Sequence, residues 1–252
     1  MRRALIALAL FLGLAAAATA PRPAHAQALV ADLSKHLVAI TTGFAGTDVL
    51  LFGSIDAPGE VVVVVRGPER ETLVRKKARS FGVWYNAYKV QFDNAPAYYW
   101  MASSAPLEEI TTASLRARHQ LGPENIEMRV AEGQGLEPEL VQTFRDGLVE
   151  RKRAKGHYSS DIKPVTFLGD QLFRSEMHFP SDVPVGTYQV EVYLLRDNQV
   201  VSAEITPLVV SKVGIGADVF NFAYDHAAWY GVIAIIVAVF SGWLASVAFR
   251  KG

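Results

Sequence analysis

The residues best equipped for chemistry stand in RKKARSFGVWYN, residues 75–86, where Arg75, Lys76, Lys77 and Arg79 run into Phe81, Trp84 and Tyr85. Guanidinium and ammonium groups recognise oxyanions through charge-assisted hydrogen bonds, and they also attract anionic lipid headgroups. Read as a strand, in which successive side chains alternate between faces, the stretch puts Arg75, Lys77 and Arg79 on one side and Lys76 and Ala78 on the other. Arg75, Lys77 and Arg79 are therefore the candidate ligand-binding set, for an oxyanion or a lipid headgroup. The competing reading is a solvated edge strand whose charges discourage edge-to-edge pairing, with Glu69 and Glu71 diluting the charge nearby. Just downstream, AYYWMASSAPL adds Tyr98, Tyr99 and Trp100, which suit either a core or an aromatic contact surface.

Other chemistry finds little support. Outside the N-terminal 26 residues the histidines are His36, His119, His157, His178 and His226, and none lies within five residues of another, so no local zinc pair forms. There is no cysteine, which removes thiol redox chemistry, c-type haem attachment and cysteine zinc sites. No G-x-S-x-G, H-E-x-x-H or P-loop occurs. Glu108, Glu109, Glu137 and Glu139 read as acids favouring helix N-termini rather than as a catalytic dyad. The expectation is no catalytic residue, no metal and no cofactor, and a binding rather than an enzymatic role.

Two apolar segments decide where such a domain sits. The N-terminus pairs Arg2 and Arg3 with a short apolar run, Ala4 to Ala18, and an Ala24-His25-Ala26 cleavage site, which together read as an export signal over residues 1–26. Ala227 to Phe249 is a run of 23 residues without a charge. At about 1.5 Å per residue it is long enough for a hydrocarbon core of about 30 Å. Trp229 and Tyr230 stand where an interfacial aromatic belt would, and Arg250 and Lys251 suit a cytoplasmic end. The expected layout is a periplasmic domain over residues 27–211, a connector over 212–226, a transmembrane helix over 227–249 and a cytoplasmic tail over 250–252, in a bacterial inner membrane. Within the span, Ala234, Ala238, Gly242 and Ser246 recur every four residues and form a small-residue face suited to close helix packing. Removing Arg2, Arg3, Arg22, Arg250 and Lys251 leaves 20 basic against 25 acidic residues, a net of −5 for the outer domain. That sign argues against nucleic acid as a partner.

The outer domain is expected to be mainly β, a β-sandwich with the Ig-like type as one option, with two helical insertions. DVLLFGSIDAPGEVVVVVRG reads as a hairpin about Asp56-Ala-Pro-Gly59, and its five consecutive valines suit a strand buried on both faces. In GTYQVEVYLL, Tyr188, Val190, Val192 and Leu194 alternate with Gln189, Glu191 and Tyr193, as in a half-buried strand, and Asp197-Asn198 turns it back into QVVSAEITPLVV. Helices are expected near 106–120, opened by Pro106, and near 136–155, where Leu136, Leu140, Phe144 and Leu148 share a face. Arg151, Lys152, Arg153 and Lys155 at the end of the second complement its dipole.

The signal segment, TTGFAGTDVLLFG, RGPERETLVRKKARSFGVWYN, GDQLFRSEMHFPSDVPVGTYQVEVYLL and the terminal span, taken in this order, resemble the alphaproteobacterial transmembrane protein family. The resemblance covers nearly the whole chain after the signal. It implies this architecture and carries over no catalytic residues. It also points to relatives encoded near multi-span permeases resembling sulfite or organosulfonate exporters. The expected partners are the lipid bilayer and, through the span, a multi-span permease or a second copy. The expected function is a non-enzymatic accessory or sensing subunit of a membrane transport complex. An oxyanion-binding periplasmic module and a membrane-anchored hydrolase are the alternatives.

Overall fold

The structure, a computed structural model, describes residues 28–132, 135–214, 219 and 222–249. The expected export signal, the expected tail from Arg250 and part of the expected connector lie outside the described residues. The chain ahead of the C-terminal helix is built on two β-sheets packed face to face. One has the order β1 (Leu29–Leu33), β3 (Thr47–Ile55), β10 (Leu172–Phe179), β9 (Thr166–Leu168). The other has the order β2 (Leu37–Ile40), β12 (Gln199–Lys212), β11 (Gly186–Arg196), β4 (Glu60–Arg66), β7 (Tyr99–Ser103), β8 (Lys163–Pro164). Alternation decides the faces of the smaller sheet. Along β10, Phe173, Ser175, Met177 and Phe179 are buried and the residues between them are exposed. These inward residues meet Val61, Val63, Val65, Tyr188, Val190, Val192 and Leu194 of the larger sheet in one continuous core.

The five valines of β4 are all buried, and the two faces of the strand serve different cores. Val61, Val63 and Val65 point into the sandwich, whereas Val62 and Val64 point out of it, against Phe92, Met101, Leu121, Ile126 and Leu195. Burying both faces removes the need for alternation, so β-branched residues fill every position. The predicted hairpin across Asp56–Gly59 is not formed. β3 pairs with β1 and β10, and β4 pairs with β11 and β7, so the turn carries the chain from one sheet to the other. Strand β11 also departs from half-burial. Its outward residues Glu191, Tyr193 and Leu195 are buried too, because the second core covers them. The β11–β12 hairpin turns at Asp197-Asn198, both at positive φ, as a two-residue turn requires. Tyr98, Tyr99 and Trp100 are core residues and not a contact surface.

The first expected helix is split. α1 (Leu107–Ile110) stops at Thr111, whose backbone is extended, and α2 (Ala113–Arg118) restarts at Thr112, whose hydroxyl accepts from the Leu115 N–H at 3.2 Å. Adjacent β-branched threonines with cap-forming hydroxyls favour this break over a continuous helix. The second expected helix forms as α3 (Pro138–Ala154), with Phe144, Leu148 and Val149 buried.

The basic stretch belongs to neither sheet. β5 (Glu69–Ser80) and β6 (Val83–Pro96) make a separate two-stranded ribbon. Its pairing is the direct continuation of the β4–β7 ladder. Arg66 faces Tyr99, and Glu69 faces Pro96 in the same register. The Gly67 N–H donates to the Tyr98 carbonyl and the Ala97 N–H to the Pro68 carbonyl, so hydrogen bonding crosses the junction. One long hairpin thus starts inside the six-stranded sheet and runs out past its end. Register shifts at Arg70/Thr72 and at Lys76/Lys77 increase its twist.

α4 (Ala227–Phe249) is the C-terminal helix. It is apolar and long enough to cross a membrane, and its described side chains lie exposed outside the domain.

A cationic groove between the ribbon and helix α3

Helix α3 lies beside the outer half of the ribbon, and a groove of about 930 Å³ runs between them. Its floor is set by hydrophobic periodicity. Phe144 and Leu148, four residues apart on α3, are buried and pack in one cluster with Val74 of β5, and the exposed Leu73 borders the groove beside them. Gly147 sits in the neighbouring row, and a side chain built there would meet nothing within 4 Å, so the helix leaves this part of the groove open.

Cations make the walls. β5 contributes Arg70, Arg75, Lys76 and Lys77, and the last turns of α3 contribute Arg151, Lys152 and Lys155. Among the described residues no aspartate or glutamate lines the groove. Of the acids on β5, Glu71 accepts from Gln91 at 3.4 Å, and Glu69 lines a smaller cleft at the base of the ribbon. Lys152 is the most constrained of the set. Its ammonium donates to the Ala97 carbonyl at 3.2 Å and lies 5.8 Å from the centre of the Tyr158 ring. Burial, followed by the charges of Lys155 and Arg70, holds its pKa below the usual lysine value. An anion in the groove would relieve both positive neighbours at once.

The structure places Arg75 and Lys77 on the groove. Arg79 is outside it, near the ribbon tip, where its Nε donates to the Gly82 carbonyl at 3.4 Å. Residues 72–77 of β5 all border the groove, whereas Arg79 lies two residues further towards the tip, past its end. Arg70, Lys76, Arg151, Lys152, Lys155 and His157 were not singled out from the sequence as site residues. The helical ones carried a readable signal: Lys152 continues the Phe144–Leu148 row, and Arg151 and Lys155 continue the Thr143–Gly147 row. Ala234, Ala238, Gly242 and Ser246 lie on α4, away from the groove.

His157 is held at the groove edge by Asp182, Nε2 to Oδ2 at 2.9 Å. Among the described residues no hydroxyl hydrogen-bonds to it, so the pair does not activate a nucleophile. No group of three or more metal-ligating side chains gathers among the described residues. The groove has an apolar floor, cationic walls and an open top. Its volume falls in the usual range of small-molecule sites, about 300–1,000 Å³. No curated protein matches the chain. The match of residues 28–251 to a single family model, together with the β-rich domain and the terminal span, means that the chain belongs to the family described as Putative transmembrane protein (Alph_Pro_TM).

Proposed function

We propose that this is a single-span, membrane-anchored binding protein whose outer domain holds an anionic amphiphile in the groove between β5 and α3. The ligand class is a phosphate, sulfonate or carboxylate group on an apolar chain. The observation that carries this reading is the lining itself: Arg70, Arg75, Lys76, Lys77, Arg151, Lys152 and Lys155 over Leu73, Val74, Phe144 and Leu148, with no acid among them. Like charges gathered on one concave surface repel each other, and an oxyanion removes that repulsion while gaining charge-assisted hydrogen bonds. The domain stands on the periplasmic side, as the export signal and the basic tail favour. There it serves as a ligand-sensing accessory to a transport complex reached through α4.

The test is a titration of the full chain in nanodiscs of zwitterionic lipid, read by calorimetry. Octyl phosphate is expected to bind more tightly than inorganic phosphate, and octanol to bind negligibly. Arg75→Gln with Lys152→Gln should weaken both anions. Gly147→Trp, which changes no charge, should weaken octyl phosphate more than inorganic phosphate by filling the floor. Absence of anion-dependent heat in the unsubstituted protein would sink the reading.

A further inference from the structure

We propose that the tip of the β5–β6 ribbon is a second membrane contact. Phe81, with Val83, Tyr85 and Tyr88 behind it, seats in the interfacial layer of the bilayer that α4 crosses, and the basic residues of the ribbon hold anionic headgroups there. This goes beyond the groove reading and stands without it.

The first observation is the tip itself. Ser80 pairs with Val83, leaving Phe81 and Gly82 as a two-residue turn with φ of 47° and 85°. Positive φ at both positions favours asparagine and glycine; here the first is a phenylalanine. Its ring is fully exposed, and Val83, Tyr85 and Tyr88 are more than half exposed. A turn that displays an aromatic ring costs the domain a left-handed residue and gives no packing in return. Tyrosines such as Tyr85 and Tyr88 are enriched at membrane–water interfaces, and the Phe81 ring is apolar surface that an acyl boundary would take out of water.

The second observation is charge. Between Glu71 and Asp93 the chain has no acidic residue, yet it carries Arg75, Lys76, Lys77, Arg79 and Lys89. The outer domain as a whole is net negative, so the ribbon is a local reversal complementary to anionic lipid.

The third observation is direction. β4 and β12 are both antiparallel to β11, so they point the same way. β4 continues into the ribbon and β12 continues towards α4, so the ribbon and the membrane-bound end of the chain leave the sandwich from the same end. Fourteen residues separate Lys212 from Ala227, a tether of about 50 Å at most. The ribbon's 12-residue strand is itself about 40 Å long. The bilayer is therefore the large anionic surface within reach of the tip.

The absence of cysteine in the chain allows a direct test. Full-length Phe81→Cys and Val83→Cys, each labelled with an environment-sensitive fluorophore, are reconstituted in vesicles of phosphatidylcholine with phosphatidylglycerol. Ala57→Cys, in the turn at the opposite end of the sandwich, is the reference. The labels at 81 and 83 are expected to shift to the blue and to be quenched by lipids spin-labelled near the headgroup, and the label at 57 to do neither. Replacing phosphatidylglycerol by phosphatidylcholine, or Arg75, Lys77 and Arg79 by glutamine, should reduce both effects. Phe81→Asn keeps the turn geometry, and in that background the label at 83 should lose its lipid quenching. Labels at 81 and 83 that report water as fully as the one at 57 overturn the proposal. Labels that are shielded but not quenched by lipid also overturn it, because they indicate a protein partner. Neither outcome depends on whether octyl phosphate binds the groove.

Discussion

Glu191→Leu is expected to destabilise the β-rich domain strongly. Glu191 forms an ion pair with Arg66 where β11 lies beside β4, with only 9% and 18% of the two side chains exposed. The Tyr193 hydroxyl donates to the same carboxylate oxygen, and burial together with Glu191 pushes the tyrosine pKa up to about 12. Arg66 reaches the His119 carbonyl with its other arm at 2.6 Å, and its Nε has no partner. Burial works against the guanidinium charge, but the hydrogen bond and charge of Glu191 outweigh it, and the pKa ends above the ordinary arginine value. Removing one partner of a buried pair costs about 3–5 kcal/mol in general. The surviving His119 contact and the partial exposure of Arg66 argue for the lower end, about 3 kcal/mol. For a domain of about 200 residues that corresponds to a fall in Tm of roughly 6–12 °C. The assay is thermal unfolding of the full chain, followed by the tertiary signal of the buried tyrosines and Trp100. In Arg66→Met with Glu191→Leu no charge is stranded, so the double variant should melt above Glu191→Leu alone. A single variant within about 2 °C of the parent, or a double variant whose losses simply add, would refute the reasoning.

Gly53→Ala on β3 would place a methyl group against the Phe173 ring and the Val30 carbonyl, and a cost of about 1–3 kcal/mol is expected by the same melting assay. Lys152 makes stability pH-dependent with a definite sign. Its folded pKa lies below its unfolded value of 10.5, so the unfolded state binds more protons in the window between the two. Stability should therefore rise as pH rises from the lowered value towards 10.5, and Lys152→Met should flatten that rise in urea midpoints measured across the window. On α4, Ala238→Leu with Gly242→Leu should dissociate any detergent-stable complex, seen as a shift to smaller size on native gels; an unchanged complex would remove the small-residue face from consideration.

What could be read from the sequence was what depends on neighbours in the chain. Five consecutive valines announce a strand without a wet face, whichever strands flank it. The turn at Asp197-Asn198 carries its own backbone requirement, and α3 and α4 follow from helical periodicity and unbroken apolar length. What could not be read depends on distant partners. Asp56–Gly59 has the same turn chemistry whether it closes a hairpin or crosses between sheets, so the pairing of β3 with β10 left no local trace. The groove has one wall at residues 70–77 and another at 151–155. Arg151, Lys152 and Lys155 had a sufficient local explanation as charges at a helix C-terminus, and only the fold brings them opposite β5. Arg79 was grouped with Arg75 and Lys77 by strict alternation, which assigns a face but not where along the strand the helix opposite it ends.

The unbroken register from β4 into β5 and from β6 into β7 also has a mechanical meaning. No loop lies between the ribbon tip and the middle of the six-stranded sheet, so a load applied at Phe81 passes along two hydrogen-bonded strands straight into β4. β4 is bonded on both sides and packed on both faces, which makes it a rigid anchorage. The compliant points are the two register shifts, where β6 carries an extra residue opposite Arg70–Thr72 and opposite Lys76/Lys77, and both lie across from the β5 segment that borders the groove. A ligand bridging α3 and β5 would brace the strut across its joints. Amide exchange in residues 70–77 is therefore expected to slow on octyl phosphate binding while that of β4 stays unchanged, and equal slowing in both would show that the strut has no joint there.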